Sequence, residues 1–136
     1  MIIDAKNAVL GRLATKVAKE LLKGEKVDVI NAEKIIITGS PDKIVKKYLT
    51  RRRRGSPQHG PFFPRKPNLV VRRAIRGMLP YKKARGRKAF KNLKVHIGIP
   101  KEFANKETII FSEKQKPVNC KFITIYELSK RLGWNE

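Results

Sequence analysis

Apolar residues recur at helical spacing near the start of the chain. Val9, Leu10, Leu13, Ala14, Val17, Ala18, Leu21 and Leu22 fall on one stripe. That stripe predicts a helix with Asn7 placed to cap it and Gly24 placed to end it. Ile2 and Ile3 before it, and Val27, Val29 and Ile30 after it, have the β-branched character of short strands. Ile35 to Ile37 reads as another buried strand, set off by Asn31-Ala32-Glu33-Lys34. A strand, a helix and a second strand in close succession predict a right-handed crossover between parallel strands.

A second helix is announced at Ser40-Pro41-Asp42. Ser40 stands as cap, Pro41 in the first turn and Asp42 where the helix dipole favours an anion. Its pattern runs through Ile44, Val45, Tyr48 and Leu49 into Arg51-Arg52-Arg53-Arg54. Residues 55–67 break the pattern. Four of the chain's eight prolines fall there, so the segment is expected to be an extended loop. Asn68 is then placed to cap a helix with an inner face of Val71, Ala74, Ile75, Met78 and Leu79, stopped by Pro80. Arg72, Arg73 and Arg76 share its outer face. A shorter helical segment anchored by Ala84, Ala89 and Phe90 follows, and then a strand at Val95 and Ile97. Residues 98–123 read as an irregular arm with one possible strand at Ile109-Ile110-Phe111. A last helix opens at Thr124 with Glu127 three residues on, the spacing of a capping box. Leu128 and Leu132 line its inner face, Gly133 ends it and Trp134 follows. No internal repeat or linker divides the chain, so residues 1–136 are expected to form one domain.

Charge changes the picture more than composition does. The chain carries 33 Lys and Arg against 11 Asp and Glu, a net charge of +22. Residues 43–101 hold 20 of those cations and no carboxylate, while the flanks are almost balanced. A solvated face normally mixes its signs. A one-sign stretch of 59 residues therefore points to a polyanionic partner. A membrane surface is the weaker reading, because no apolar run approaches the ~20 residues of a spanning helix. Met1-Ile2-Ile3-Asp4 is too short for a signal sequence, and the single Cys120 suits a reducing cytoplasm.

Catalytic signatures are missing. The sequence has no phosphate loop, dinucleotide fingerprint, zinc spacing or metalloprotease motif, so neither enzyme nor cofactor nor small-molecule substrate is expected. His59 reads as an RNA contact or a turn residue, and His96 as a strand residue. Thr38-Gly39-Ser40 offers either a helix cap or a phosphate cradle. Gly11 costs its helix about 1 kcal/mol relative to alanine, which implies close approach of a neighbouring element or of an RNA backbone.

Folded RNA is favoured over duplex DNA. The arginines occupy two helices and the Pro-rich loop between them, rather than one recognition helix. Phe62 and Phe63 either stack on bases or anchor the loop. Residues 55–67 are expected to be disordered in the free protein and to order on RNA. The alternative is a general architectural protein that binds DNA as well as RNA.

Several of these residues also form a family pattern. Asp4-Ala5, Val9-Leu10-Gly11-Arg12-Leu13-Ala14, Asn31-Ala32-Glu33-Lys34-Ile35 and Thr38-Gly39 resemble the N-terminal half of the large-subunit ribosomal protein L13 family. Arg76-Gly77-Met78-Leu79-Pro80, Gly86-Arg87 and Leu93-Lys94-Val95 resemble its central block. No insertion of the bacterial kind precedes Asn31. Gly98-Ile99-Pro100 and Leu132-Gly133-Trp134 resemble the archaeal and eukaryotic branch, and the compact length points to an archaeal source. The resemblance implies a three-layer α/β/α domain with a short, mainly parallel sheet. It also implies an architectural role on large-subunit ribosomal RNA, beside neighbouring ribosomal proteins, in the cytoplasmic ribosome. The expected RNA-binding residues are Arg51, Arg52, Arg53, Arg54, Arg65, Lys66, Arg72, Arg73 and Arg76, with Lys82, Lys83, Arg85, Arg87 and Lys88.

Overall fold

A computed structural model describes residues 1–111 and 120–135. Strand β1 (Ile2–Asp4), helix α1 (Leu10–Leu22) and strand β2 (Val27–Ile30) form the expected crossover, with Ile3 registered opposite Val29. Strand β4 (Leu93–Val95) extends the sheet beyond β2, and β5 (Ile109–Ile110) extends it beyond β1. All pairings in this four-stranded sheet are parallel. The class is α/β with a mainly parallel sheet.

The two faces of the sheet differ sharply. Ile3, Val27, Val29, Leu93 and Val95 are buried against the helical side. There α1 contributes Leu10, Leu13, Ala14, Val17, Ala18 and Leu21. Helix α3 (Pro67–Gly77) adds Val70, Val71 and Ile75, and α4 (Ala84–Lys91) adds Ala89. Asp28 and Lys94 register together on the opposite face. That face is crossed by the chain after β4, where His96 Nε2 lies 3.1 Å from Asp28 Oδ1 and Phe103 rests against the His96 ring. The outer layers are therefore unequal, with α-helices on one side and a 3₁₀ turn (Lys101–Phe103) on the other.

A second, two-stranded sheet forms beside the first. Strand β3 (Ile36–Thr38) pairs antiparallel with β6 (Phe122–Thr124), which leads directly into helix α5 (Ile125–Arg131). The expected arm of residues 98–123 thus contains a 3₁₀ turn, β5 and most of β6, and its residues 112–119 lie outside the described residues. Thr124 caps α5 as expected, accepting a hydrogen bond from the Glu127 amide at 3.2 Å.

Several local expectations are corrected. Asn7 does not cap α1: it occupies a left-handed turn (φ 60°), and Val9 takes the cap position without a side-chain bond. Leu22, at the end of the stripe, is exposed. Ser40 stands at the start of α2 (Pro41–Arg53), yet its hydroxyl caps nothing. Lys66, not Asn68, precedes α3, because Pro67 fits the first helical position with its fixed φ. Met78 is exposed, and α3 ends at Gly77 ahead of Pro80. Ile97 lies outside β4 and is exposed. Ala84 is exposed as well, and the residue that seats α4 is Gly86. Gly86 is buried, and a Cβ there would overlap the carbonyl group of Pro80. Backbone atoms cannot rotate away from such a clash. Gly86→Ala should therefore lower stability by about 1–3 kcal/mol despite the better helix propensity of alanine, measured by urea unfolding. A variant as stable as the parent would show that the α3–α4 turn can yield.

Candidate nucleic-acid interface

The expected site residues lie on α2, on the loop of residues 54–66, on α3 and on α4. None of these cations takes part in an ion pair among the described residues, where the pairs are Lys23–Glu20, His96–Asp28 and Arg131–Asp42. The one carboxylate of α2 is thus turned toward α5. The structure sorts the cations into three physical situations.

Two arginines hold the loop. Arg52 donates to the Phe63 carbonyl at 2.6 Å, and Arg73 donates to the Phe62 carbonyl at 2.9 Å. Both guanidinium pKa values are pulled down, first by burial and then by a neighbouring cation, Arg65 for Arg52 and Arg76 for Arg73. The Phe63 ring packs edge-on against Tyr48 at 5.5 Å, so Phe63 is an anchor. Phe62 projects outward at 64% exposure. The loop tip closes on itself through paired bonds between Ser56 and Gly60. The His59 amide donates to Ser56 Oγ at 3.0 Å, which makes His59 a turn residue here.

Four arginines lie over rings of the protein, Arg73 among them at 5.7 Å from the Phe63 centroid. The Arg72 guanidinium lies 4.3 Å from the Phe90 centroid, Arg76 lies 4.8 Å from Tyr81, and Arg51 lies 5.3 Å from Tyr48. Such contacts fix the plane of a guanidinium without consuming its donors. Arg76 Nε is buried with no hydrogen-bond partner.

The remaining cations face outward. Arg53, Arg54, Lys66, Lys82, Lys83, Arg85, Arg87 and Lys88 are exposed, with Arg87 bonded to the Lys82 carbonyl at 3.4 Å. Arg65 is exposed too, its guanidinium packed on Gly133 just past α5. Sequence reasoning missed Lys43, Lys46 and Lys47. They line a groove of about 490 Å³ along α2 with Thr50, Arg51 and Arg54. The signal was present: these residues recur at i, i+3, i+4 and i+8.

Two side readings change. The Gly39 amide is spent on the Lys121 carbonyl at 2.7 Å, so Thr38-Gly39-Ser40 loses a donor that a phosphate cradle needs. Gly11 is exposed, and among the described residues a Cβ there would meet nothing within 4 Å, so none of them explains glycine by close packing. Among the described residues no cluster of His, Cys, Asp or Glu could hold a metal, and no helix is long and apolar enough to cross a membrane.

The family model described as Ribosomal protein L13 matches residues 1–102, from β1 into the 3₁₀ turn after β4. The chain belongs to the ribosomal protein L13 family. It is 49% identical to the large ribosomal subunit protein uL13 of Methanopyrus kandleri, over 98% of this chain and 86% of that one. It is 48% identical to uL13 of Methanocaldococcus jannaschii and 45% identical to uL13 of Methanosarcina barkeri, each over 97% of this chain and 96% of the relative. These relatives agree with the archaeal branch. The L13-family match takes in every element that carries the cations, while β5, β6 and α5 fall beyond its end.

The anchored loop makes its own prediction. Amide exchange at Ser56 and Gly60 in the free protein should be slowed, and the Arg52→Ala/Arg73→Ala double variant should lose that protection. Unprotected amides in the parent protein, becoming protected only with RNA, would instead bear out the sequence-based expectation of a loop that orders on binding.

Proposed function

We propose that this chain is a structural constituent of the large ribosomal subunit in the cytoplasmic ribosome. In this reading it binds and organises large-subunit ribosomal RNA, joins the particle early, and abuts neighbouring ribosomal proteins. The observation that carries the reading is the run of 20 cations across residues 43–101, most of them on α2, α3, α4 and their loops, with no carboxylate between them. Its members repel one another, and Arg76 beside Arg73 and Arg65 beside Arg52 add to the burial that lowers those two guanidinium pKa values. A polyanion relieves that repulsion. Family membership and the names of the relatives select ribosomal RNA as the polyanion.

The chemistry required is placement, not turnover. Exposed guanidiniums grip phosphates with two bonds each, and every phosphate neutralised releases counterions. Affinity should fall linearly with salt on logarithmic axes, with a slope of roughly −0.7 per contact for single strands and about −0.9 for duplex. Charge reversal at Arg72, Arg73 and Arg76 should abolish binding to large-subunit ribosomal RNA while circular dichroism keeps its native shape. Because Arg73 also ties the loop, the Lys82→Glu/Lys83→Glu/Arg85→Glu variant supplies the cleaner case: a weaker affinity and a shallower salt slope. Unchanged binding in both variants would move the site elsewhere. In cell lysate, sedimentation with the large subunit through a high-salt gradient is the expected outcome, and migration with free protein would overturn the ribosomal assignment.

A further inference from the structure

An apolar floor lies inside the cationic face of α3. Leu69, Arg72, Arg73 and Arg76 are spaced i, i+3, i+4 and i+7, so they share one side of the helix. Leu69 is 38% exposed at the N-terminal end of that side. Pro64 from the loop and Phe90 from α4 flank it, and the six residues enclose a cleft of about 220 Å³. Its shape is not left to chance. The bond from Arg73 to the Phe62 carbonyl secures the loop beside Pro64, and the Arg72 guanidinium sits on the Phe90 ring. A phosphate alone has no use for such a floor, because anionic oxygens lose solvation against Leu, Pro and Phe without compensation. A flat, weakly polar ring suits it, with charged oxygens left at the rim.

We propose that this cleft takes one unstacked nucleobase of the bound RNA. This deepens the RNA-binding reading above and rests on it. The base lies over Leu69 and against the Arg72 plane, while its flanking phosphates meet Arg72 and Arg76 at the rim. Single-stranded bulges and loops present bases in this way, and arginine planes and apolar side chains receive them. The recognition is of a base as a flat ring, so it adds affinity for irregular RNA over regular duplex without adding a charge contact.

The test uses the full chain and two RNA hairpins of equal charge, one with a bulged adenosine and one with an abasic nucleotide at the bulge. The expected result is a preference for the adenosine hairpin of about tenfold. Leu69→Ala should erase that preference, and the salt slope should stay as in the parent. Leu69 is outside the buried core, and alanine favours the helix, so folding is retained. Phe90→Leu, which keeps the packing of α4 while removing the ring under Arg72, should reduce the preference in the same way. Equal binding of the two hairpins by the parent protein would overturn the proposal, as would a Leu69→Ala variant that keeps the preference. A parent protein that binds neither hairpin at low salt would instead overturn the RNA-binding reading itself.

Discussion

Mutual repulsion among the central cations is the constraint around which this molecule is built. Residues 43–101 place like charges on three successive helices and offer no carboxylate to separate them. The helices can be held together only from their other side. For α3 that side is Val70, Val71 and Ile75, all at most 1% exposed, with Leu79 just beyond its end. Burying such a side chain contributes about 1.5–3 kcal/mol. A pair of exposed like charges costs far less, because water and salt screen it. α4 has a narrower purchase, with Ala89 buried and Gly86 pressed against the Pro80 carbonyl. Close backbone approach does for α4 what large side chains do for α3. α3 and α4 then lean on α1 and β4, while α2 leans on β6 of the second sheet.

Rings of the protein resolve the next difficulty, which is that long cationic side chains are floppy. Ordering one on binding costs side-chain entropy of up to about 2 kcal/mol. Arg51, Arg72 and Arg76 meet Tyr48, Phe90 and Tyr81 before any RNA arrives, so part of that ordering is done in advance. Lysine would not serve equally, because its ammonium has no plane to stack and no fork to grip a phosphate. Arg52 and Arg73 are used differently. They spend donors on the Phe63 and Phe62 carbonyls, and so set the geometry of a loop whose Phe63 ring is anchored on Tyr48.

What could be read from the sequence follows from whether the signal is local. The α1 stripe, the Pro41 start of α2, the Thr124 cap and the shared face of Arg72, Arg73 and Arg76 all depend on spacing within one or two turns, and each appears where expected. The failures are of two kinds. At α3 two local rules competed, and proline at the first position displaced the expected Asn68 cap. Strand β6 was invisible for another reason: three residues carry almost no period, and its partner β3 is more than eighty positions away. The candidate site divides along the same line. Which residues are cationic and which share a helix face was legible. That Arg52 and Arg73 are fasteners was not, because their acceptors are main-chain carbonyls, which every residue has.

That division separates affinity from specificity in this interface. In the proposed RNA-binding reading, the exposed cations, including the α2 row of Lys43, Lys46 and Lys47, meet only the phosphate chain, which is the same in any nucleic acid. Selectivity among RNAs must come from shape, and shape here is set by the residues least available for phosphate contact. Arg52 and Arg73 fix the loop, Gly86 fixes α4 against the α3–α4 turn, and Phe63 fixes the loop to α2 through Tyr48. Losing an outward lysine therefore removes one term from a long electrostatic sum. Losing a fastener leaves the charge nearly intact but blurs the surface on which it is arranged. On the role proposed above, function depends more on the second kind of residue than the charge alone suggests.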